Sequence, residues 1–223
     1  VPNFSEGRNL SIIKSITDSM ESISGITLLD VNPGADTNRT VVTIIGDPIS
    51  VINSAFLGIK KAAELINMNN HKGAHPRMGA TDVCPLIPIS NVTMEDCVKY
   101  SKMLSEKVGE ELNIPVFLYE YSATKKYRQN LENIRNSEYE GMSSKLNTSK
   151  WMPDFGPVKP HKTAGVTAIG ARNFLIAYNI NLNTKNKNIA TDIALDIREQ
   201  GRNKRNKLGK FVKNKDGELI KVP

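Results

Sequence analysis

The chain has 223 residues, 39% of them apolar and 24% charged, with a formal charge of +7. That length buries a core in one large domain or two small ones, and no stretch is long and apolar enough to span a bilayer. The basic excess is local, because residues 198–215 hold eight Lys or Arg and one Glu while the remainder balances at 22 basic and 22 acidic residues; this weakens a domain-wide nucleic-acid reading, and neither nucleic acid nor membrane is expected as a partner.

VPNF (1–4) reads as a short strand running into the polar turn SEG. Ile13, Ile16 and Met20 recur at helical spacing. ITLLDV (26–31) is strand-like, NPGADTN is its turn, and RTVVTIIG (39–46) is a β-branched strand closed by Gly46. From Pro48 the period changes: Ile49, Ile52, Phe56, Ile59, Ala63 and Ile66 mark one helical face, with proline near the start. DVCPLIPI (82–89) is apolar but holds two prolines, which predicts an edge or irregular strand. Thr93 and Asp96 have capping-box spacing ahead of a helix on Cys97, Ser101, Leu104 and Val108. PVFLYEY (115–121) is a strand, followed by a turn and a polar helical segment up to Met142.

The order β-α-β-β-α-β, then α-β, predicts an α/β (α+β) fold. Its unit is a ferredoxin-like split βαβ subdomain, an antiparallel-rich sheet with helices on one face. TIM-barrel and Rossmann architectures fit worse, since regular βα units are few and no strand leads into a GxGxxG. WMPDFGPVKPHKTAG (151–165), with three prolines and two glycines, reads as a boundary without regular structure. A strand at 174–180 and a helix on Ile189, Ile193 and Ile197 then begin a second subdomain that one strand and one helix cannot complete. The ending GELIKVP reads as loop interior, so the chain is expected to be the front part of a longer protein. Cys84 and Cys97 read as buried free thiols in a reducing compartment; with nothing at the N-terminus resembling a signal peptide, the expected location is cytoplasmic.

Two of the three histidines sit in HKGAHPRMG (71–79). A loop histidine beside glycines exposes a ring that exchanges protons near neutral pH, and Pro76 restrains the backbone after His75. Arg77 could fork onto a carboxylate. The alternative, ordinary surface histidines, stays open on local evidence. His71 and His75 have i,i+4 spacing, but the glycines and Pro76 argue against a helix and no third ligand is evident, although Asp82 is nearby, so no metal is expected. Asn3, Ser5, Glu6, Asp30, Asn32, Asn38 and Arg39 stand at predicted strand ends, either as turn formers or converging on one site. GPVKPHKTAG (156–165) is a constrained loop with Lys159, His161 and Lys162 that could hold a flat anionic ligand or serve as a linker.

The blocks VPNFSEGRN, LLDVNPGADTNRTVVTIIG, HKGAHPRMGATDVCPLIPI, EELNIPVFLYE, WMPDFGP, GARNFLIAYNINL and IREQGR cover nearly the whole chain in order. Together they resemble the formiminotransferase domain family of glutamate formimidoyltransferase and of the bifunctional formiminotransferase–cyclodeaminase. The resemblance implies an N-terminal subdomain over residues 1–168 and an incomplete C-terminal one over 169–223, with folate between the two subdomains and a homodimer at full length. It implies transfer of a formimidoyl group between N-formimidoyl-L-glutamate and tetrahydrofolate, a co-substrate, with no metal. His75 then matches the catalytic general acid/base. Gly156, Pro157, Val158, Lys159, Pro160, His161, Lys162, Thr163, Ala164 and Gly165 match the folate-binding loop. Asn3, Glu6, Asp30, Asn32, Arg39 and Arg77 are held for substrate binding or support, with Arg39 or Arg77 on a substrate carboxylate. Many relatives carry Asp-x-Asp after the second strand, whereas this chain has Asp30-Val31-Asn32, and Asn32 cannot hold charge. Alternatives from the same residues are a glutamate formyltransferase using 5-formyltetrahydrofolate and a folate-binding protein without turnover. The basic segment 198–215 resembles a family insertion that adds solubility or attracts polyanionic folate.

Overall fold

Strand β1 (Asn3–Phe4) leads to α1 (Leu10–Glu21), capped by the Asn9 side chain on the backbone N–H groups of Ser11 and Ile12. An antiparallel pair follows, β2 (Ile26–Gly34) and β3 (Arg39–Gly46), then α2 (Pro48–Leu65), capped by Asp47 with proline in its first turn. Next come β4 (Thr81–Leu86), α3 (Met94–Glu111) with the Thr93–Asp96 capping box in place, and β5 (Val116–Glu120). Two short helices, α4 (Leu131–Arg135) and α5 (Glu138–Leu146), precede β6 (Thr167–Ala171). The computed structural model describes residues 1–176, 180, 182–198, 201–215 and 218–222.

These elements through β6 make a six-stranded sheet in the order β2-β3-β1-β4-β6-β5. The first four strands are antiparallel neighbours in the split βαβ arrangement, so the expected mixed α/β, ferredoxin-like subdomain is what forms. β6 and β5 extend it in parallel. One core lies under α1–α3, built on Phe4, Ile16, Met20, Val42, Phe56, Ile59 and Leu104. A second, with Val83, Phe117, Tyr119, Ile134, Met142 and Leu146, covers the opposite face over β4, β6 and β5.

Several elements differ from expectation. β4 is an inner strand, buried at every position, between β1 and β6. Pro85 is tolerated there because its carbonyl accepts from the Val1 nitrogen at 2.9 Å, which turns its donorless edge toward the two-residue β1. β6 went unseen because TAIGA is built largely of small residues with weak strand propensity. The turn expected from Asn32 is strand up to Gly34. The polar segment after Tyr121 is two helices, not one. Residues 151–165 lack regular structure yet are stitched into the sheet end: the Phe155 carbonyl accepts from Val116 N at 2.9 Å. Phe174–Ile176 are not strand, and residues 177–179 of the expected 174–180 strand lie outside the described residues.

The chain divides into two compact units, Val1–Phe174 and Leu175–Pro223. The first unit holds all of β6, which lies between β4 and β5 in its sheet. In the second, α6 (Lys187–Ile197) is followed by an antiparallel ribbon of β7 (Arg202–Asn203) and β8 (Lys221–Val222), and Arg202 pairs with Asp192 and Asp196. No helix among the described residues is long and apolar enough to cross a membrane.

Candidate active site

The two loop histidines have opposite fates. His71 is buried: its Nε2–H donates to the Asn38 carbonyl at 2.8 Å and its Nδ1 accepts from Arg77 Nε at 3.1 Å. Both of its ring nitrogens are engaged. His75 is half-buried, and its Nδ1 lies 2.6 Å from the Pro76 carbonyl. A carbonyl only accepts, so Nδ1 carries the proton and Nε2 keeps its lone pair. Arg39 Nη1, which only donates, lies 3.4 Å from that Nε2.

The loop is held by the β2–β3 turn. Asn38 adopts the left-handed region at φ 48°, where Asn is tolerated. Its side chain accepts from Gly7 N at 3.0 Å and donates to the Lys72 carbonyl at 3.1 Å, while Ala74 N donates to Asp36 O at 3.0 Å. Gly73 fits because a Cβ there would overlap the Thr37 carbonyl.

Around His75 the electrostatics are asymmetric. Asp82, fully buried, accepts from Arg39 Nη2 at 3.3 Å, Arg135 Nη2 at 2.7 Å and Met78 N at 3.2 Å. Burial pulls the His75 pKa below its ordinary value; the Arg39 charge and, more weakly, Arg135 add to this, opposed by the Pro76 hydrogen bond and by Asp82. The Arg39 pKa is also lowered, by burial first and in part by Arg135, against the pull of Asp82.

Strand register places the other candidates. Asn3 and Asn32 both register with Val41, and Asp30 with Thr43. Arg39 lies two residues from Val41 on the same strand, so Asn3, Asp30, Asn32 and Arg39 share one sheet face. Over β2 and β3 that face stays partly open, with Asp30 and Asn32 exposed and Val41 and Thr43 half-buried. Asn3 is buried and donates to Val1 O at 2.9 Å. Glu6 accepts from the backbone of Arg8 and Asn9 at 2.8 and 2.9 Å, shaping the turn into α1.

Arg77 is placed differently. Its guanidinium is buried and engages Glu138 at 2.7 Å, Glu140 at 2.6 Å and His71, so it ties the loop to α5 rather than offering a free fork. The segment Gly156–Gly165 joins the same sheet end. Gly156 and Gly165 take φ of +79° and +70°, and Gly165 bridges both Gly79 and His161. Thr163 O accepts from Met68 N, and His161 Nδ1 accepts from Ala164 N at 3.0 Å. Pro157 and Pro160 are half-buried; Val158, Lys159 and Lys162 are exposed.

Sequence reasoning missed Arg135, hidden in a polar segment, and gave Asp82 only a passing place as a neighbouring group. A charged residue opening the apolar run DVCPLI was the available signal for Asp82. Among the described residues no group of three or more His, Cys, Asp or Glu could hold a metal ion. The arrangement can exchange a proton at His75 Nε2 beside an uncompensated positive charge.

The chain matches the formiminotransferase domain, N-terminal subdomain, over residues 1–172, and the formiminotransferase domain over residues 177–222. It is 52% identical over 203 residues to a formimidoyltransferase-cyclodeaminase of Dictyostelium discoideum, covering 91% of this chain and 37% of the relative. It is 50% identical over 201 residues to a glutamate formimidoyltransferase of Streptococcus pyogenes serotype M1, covering 90% of this chain and 67% of the relative. A glutamate formimidoyltransferase of Thermoplasma acidophilum is 46% identical over 89% of this chain. The chain therefore spans about a third to two thirds of the relatives it matches. With the split βαβ sheet and a constrained histidine at its end, these matches establish that the chain belongs to the formiminotransferase domain family.

Proposed function

We propose that the full-length protein is a glutamate formimidoyltransferase, exchanging a formimidoyl group between N-formimidoyl-L-glutamate and tetrahydrofolate to give 5-formimidoyltetrahydrofolate and L-glutamate. The observation that carries this is His75, whose Nδ1–H is fixed on the Pro76 carbonyl so that the Nε2 lone pair is the reactive one. Tetrahydrofolate supplies the nucleophilic nitrogen. As its bond to the formimidoyl carbon forms, His75 Nε2 accepts the proton shed by that nitrogen. The same proton is then returned to the glutamate nitrogen as the old C–N bond breaks, since an amine leaves poorly without it. A lowered pKa keeps His75 unprotonated and ready at neutral pH.

Gly156–Gly165 serves as the folate-binding loop in this reading. Its support is position: the loop is pinned to Gly79, at the sheet end that carries His75, and it presents Lys159 and Lys162 to solvent. The relatives' names, glutamate formimidoyltransferase and formimidoyltransferase-cyclodeaminase, support formimidoyl transfer involving glutamate. The test is consumption of N-formimidoyl-L-glutamate with tetrahydrofolate by the full-length protein and by His75→Ala, each beside a folate titration. The expected result is turnover lowered by roughly 10²- to 10⁴-fold in the variant, with folate binding retained. Tight folate binding without wild-type turnover would overturn the reading.

A further inference from the structure

Arg39, Arg135 and Asp82 form a charge cluster that is out of balance. Two guanidinium groups share one carboxylate oxygen, Asp82 Oδ2, at 3.3 and 2.7 Å, and Asp82 is fully buried. With His75 neutral, the group carries one positive charge in excess. Buried positive charge is costly unless an anion meets it. The hydrogen-bonding capacity is also unfilled: Arg39 Nε and Arg135 Nε are both buried without a partner. The two acids at the start of α5, Glu138 and Glu140, are taken up by Arg77.

Resting on the formimidoyltransferase reading, we infer that Arg39 and Arg135 together bind the α-carboxylate of the glutamyl substrate. Guanidinium forks match carboxylates, and two of them sharing one buried acid leave one positive charge for an incoming anion to balance. The choice of carboxylate follows from distance. Arg39 Nη1 is 3.4 Å from the nitrogen that handles the proton. In the substrate the α-carboxylate is separated from the reacting nitrogen by a single carbon, whereas the γ-carboxylate lies at the end of the side chain. An anion that engages Arg39 this close to His75 is the α-carboxylate. Its arrival draws Arg39 off Nε2 and neutralises the charge there, so substrate binding both frees the base and makes it more basic. Arg135 is thus a substrate-binding residue, and Asp82 a positioning residue that sets the spacing of the two guanidinium groups.

The test uses full-length protein and histidine NMR, with N-acetyl-L-glutamate as an unreactive probe. The His75 pKa is expected to rise by about one unit as the probe saturates. N-acetyl-L-glutamate α-amide, which keeps only the γ-carboxylate, is expected to leave it unchanged. Arg135→Gln should abolish the rise and increase KM for N-formimidoyl-L-glutamate by roughly 10- to 100-fold with little change for folate. Arg135→Lys, keeping the charge without the fork, should retain most of the rise with an intermediate KM. An equal rise with the α-amide, or a kcat-only effect of Arg135→Gln, overturns the inference while turnover keeps the enzyme reading intact. A probe-dependent rise without wild-type turnover does the reverse.

Discussion

Arg39 touches the candidate base with one guanidinium nitrogen and a buried acid with the other: Nη1 lies 3.4 Å from His75 Nε2, and Nη2 lies 3.3 Å from Asp82 Oδ2. The arginine therefore couples the basicity of His75 to a group that no local sequence pattern connects with it. Burial is the first cause of the lowered His75 pKa and Arg39 the second.

That coupling fixes the pH dependence. In the proposed mechanism the unprotonated His75 is the base, so kcat/KM of the full-length protein should rise with pH through a limb below about 6.5, the unperturbed histidine value. Arg39→Gln removes a like charge beside the ring. Its pKa then rises and the acid limb moves to higher pH. A limb that stays in place in Arg39→Gln would remove Arg39 as a tuning group.

Asp82→Asn acts in the opposite direction. The carboxylate raises the His75 pKa, so its loss lowers that pKa further and shifts the acid limb down. It also leaves two buried guanidinium groups without a counter-charge, expected to cost about 3 kcal/mol in denaturant unfolding. Opposite shifts for Arg39→Gln and Asp82→Asn are the signature to look for.

Arg77→Ala separates anchoring from substrate binding. The variant loses two ion pairs and the bond to His71. The Glu138 and Glu140 side chains are 45% and 66% exposed, so solvent screens their part and the expected cost is about 2 kcal/mol in a urea midpoint series. KM for N-formimidoyl-L-glutamate should change far less than in Arg135→Gln.

Gly73→Ala tests placement of the loop. An added Cβ meets the Thr37 carbonyl, a backbone atom that cannot rotate away, so the loop must lift from the β2–β3 turn. A displacement near 1 Å can cost on the order of 10² in rate, and kcat should fall by that much with folding largely kept. Unchanged kcat would show that His75 does not depend on this contact.

Much of the chain was legible because its signals are local. The strand Arg39–Gly46, the helix after Asp47 and Pro48, and the Thr93–Asp96 box each form from side chains within a few residues of one another. The β-α-β-β-α-β order follows from them, and His75 stood out as a candidate base beside Gly73 and Pro76. Tertiary structure alone decided the rest. Only the sheet shows that His71 is clamped and His75 is not, that Arg77 is spent on Glu138 and Glu140, and that Pro-containing β4 is an inner strand. The contacts that set the site join residues 36, 43 and 53 positions apart in the chain. Hydrophobic periodicity reports which face of an element is buried, not which distant charge it meets. That meeting is fixed by strand order and register, and here it places Arg39 and Arg135 on one buried carboxylate beside His75.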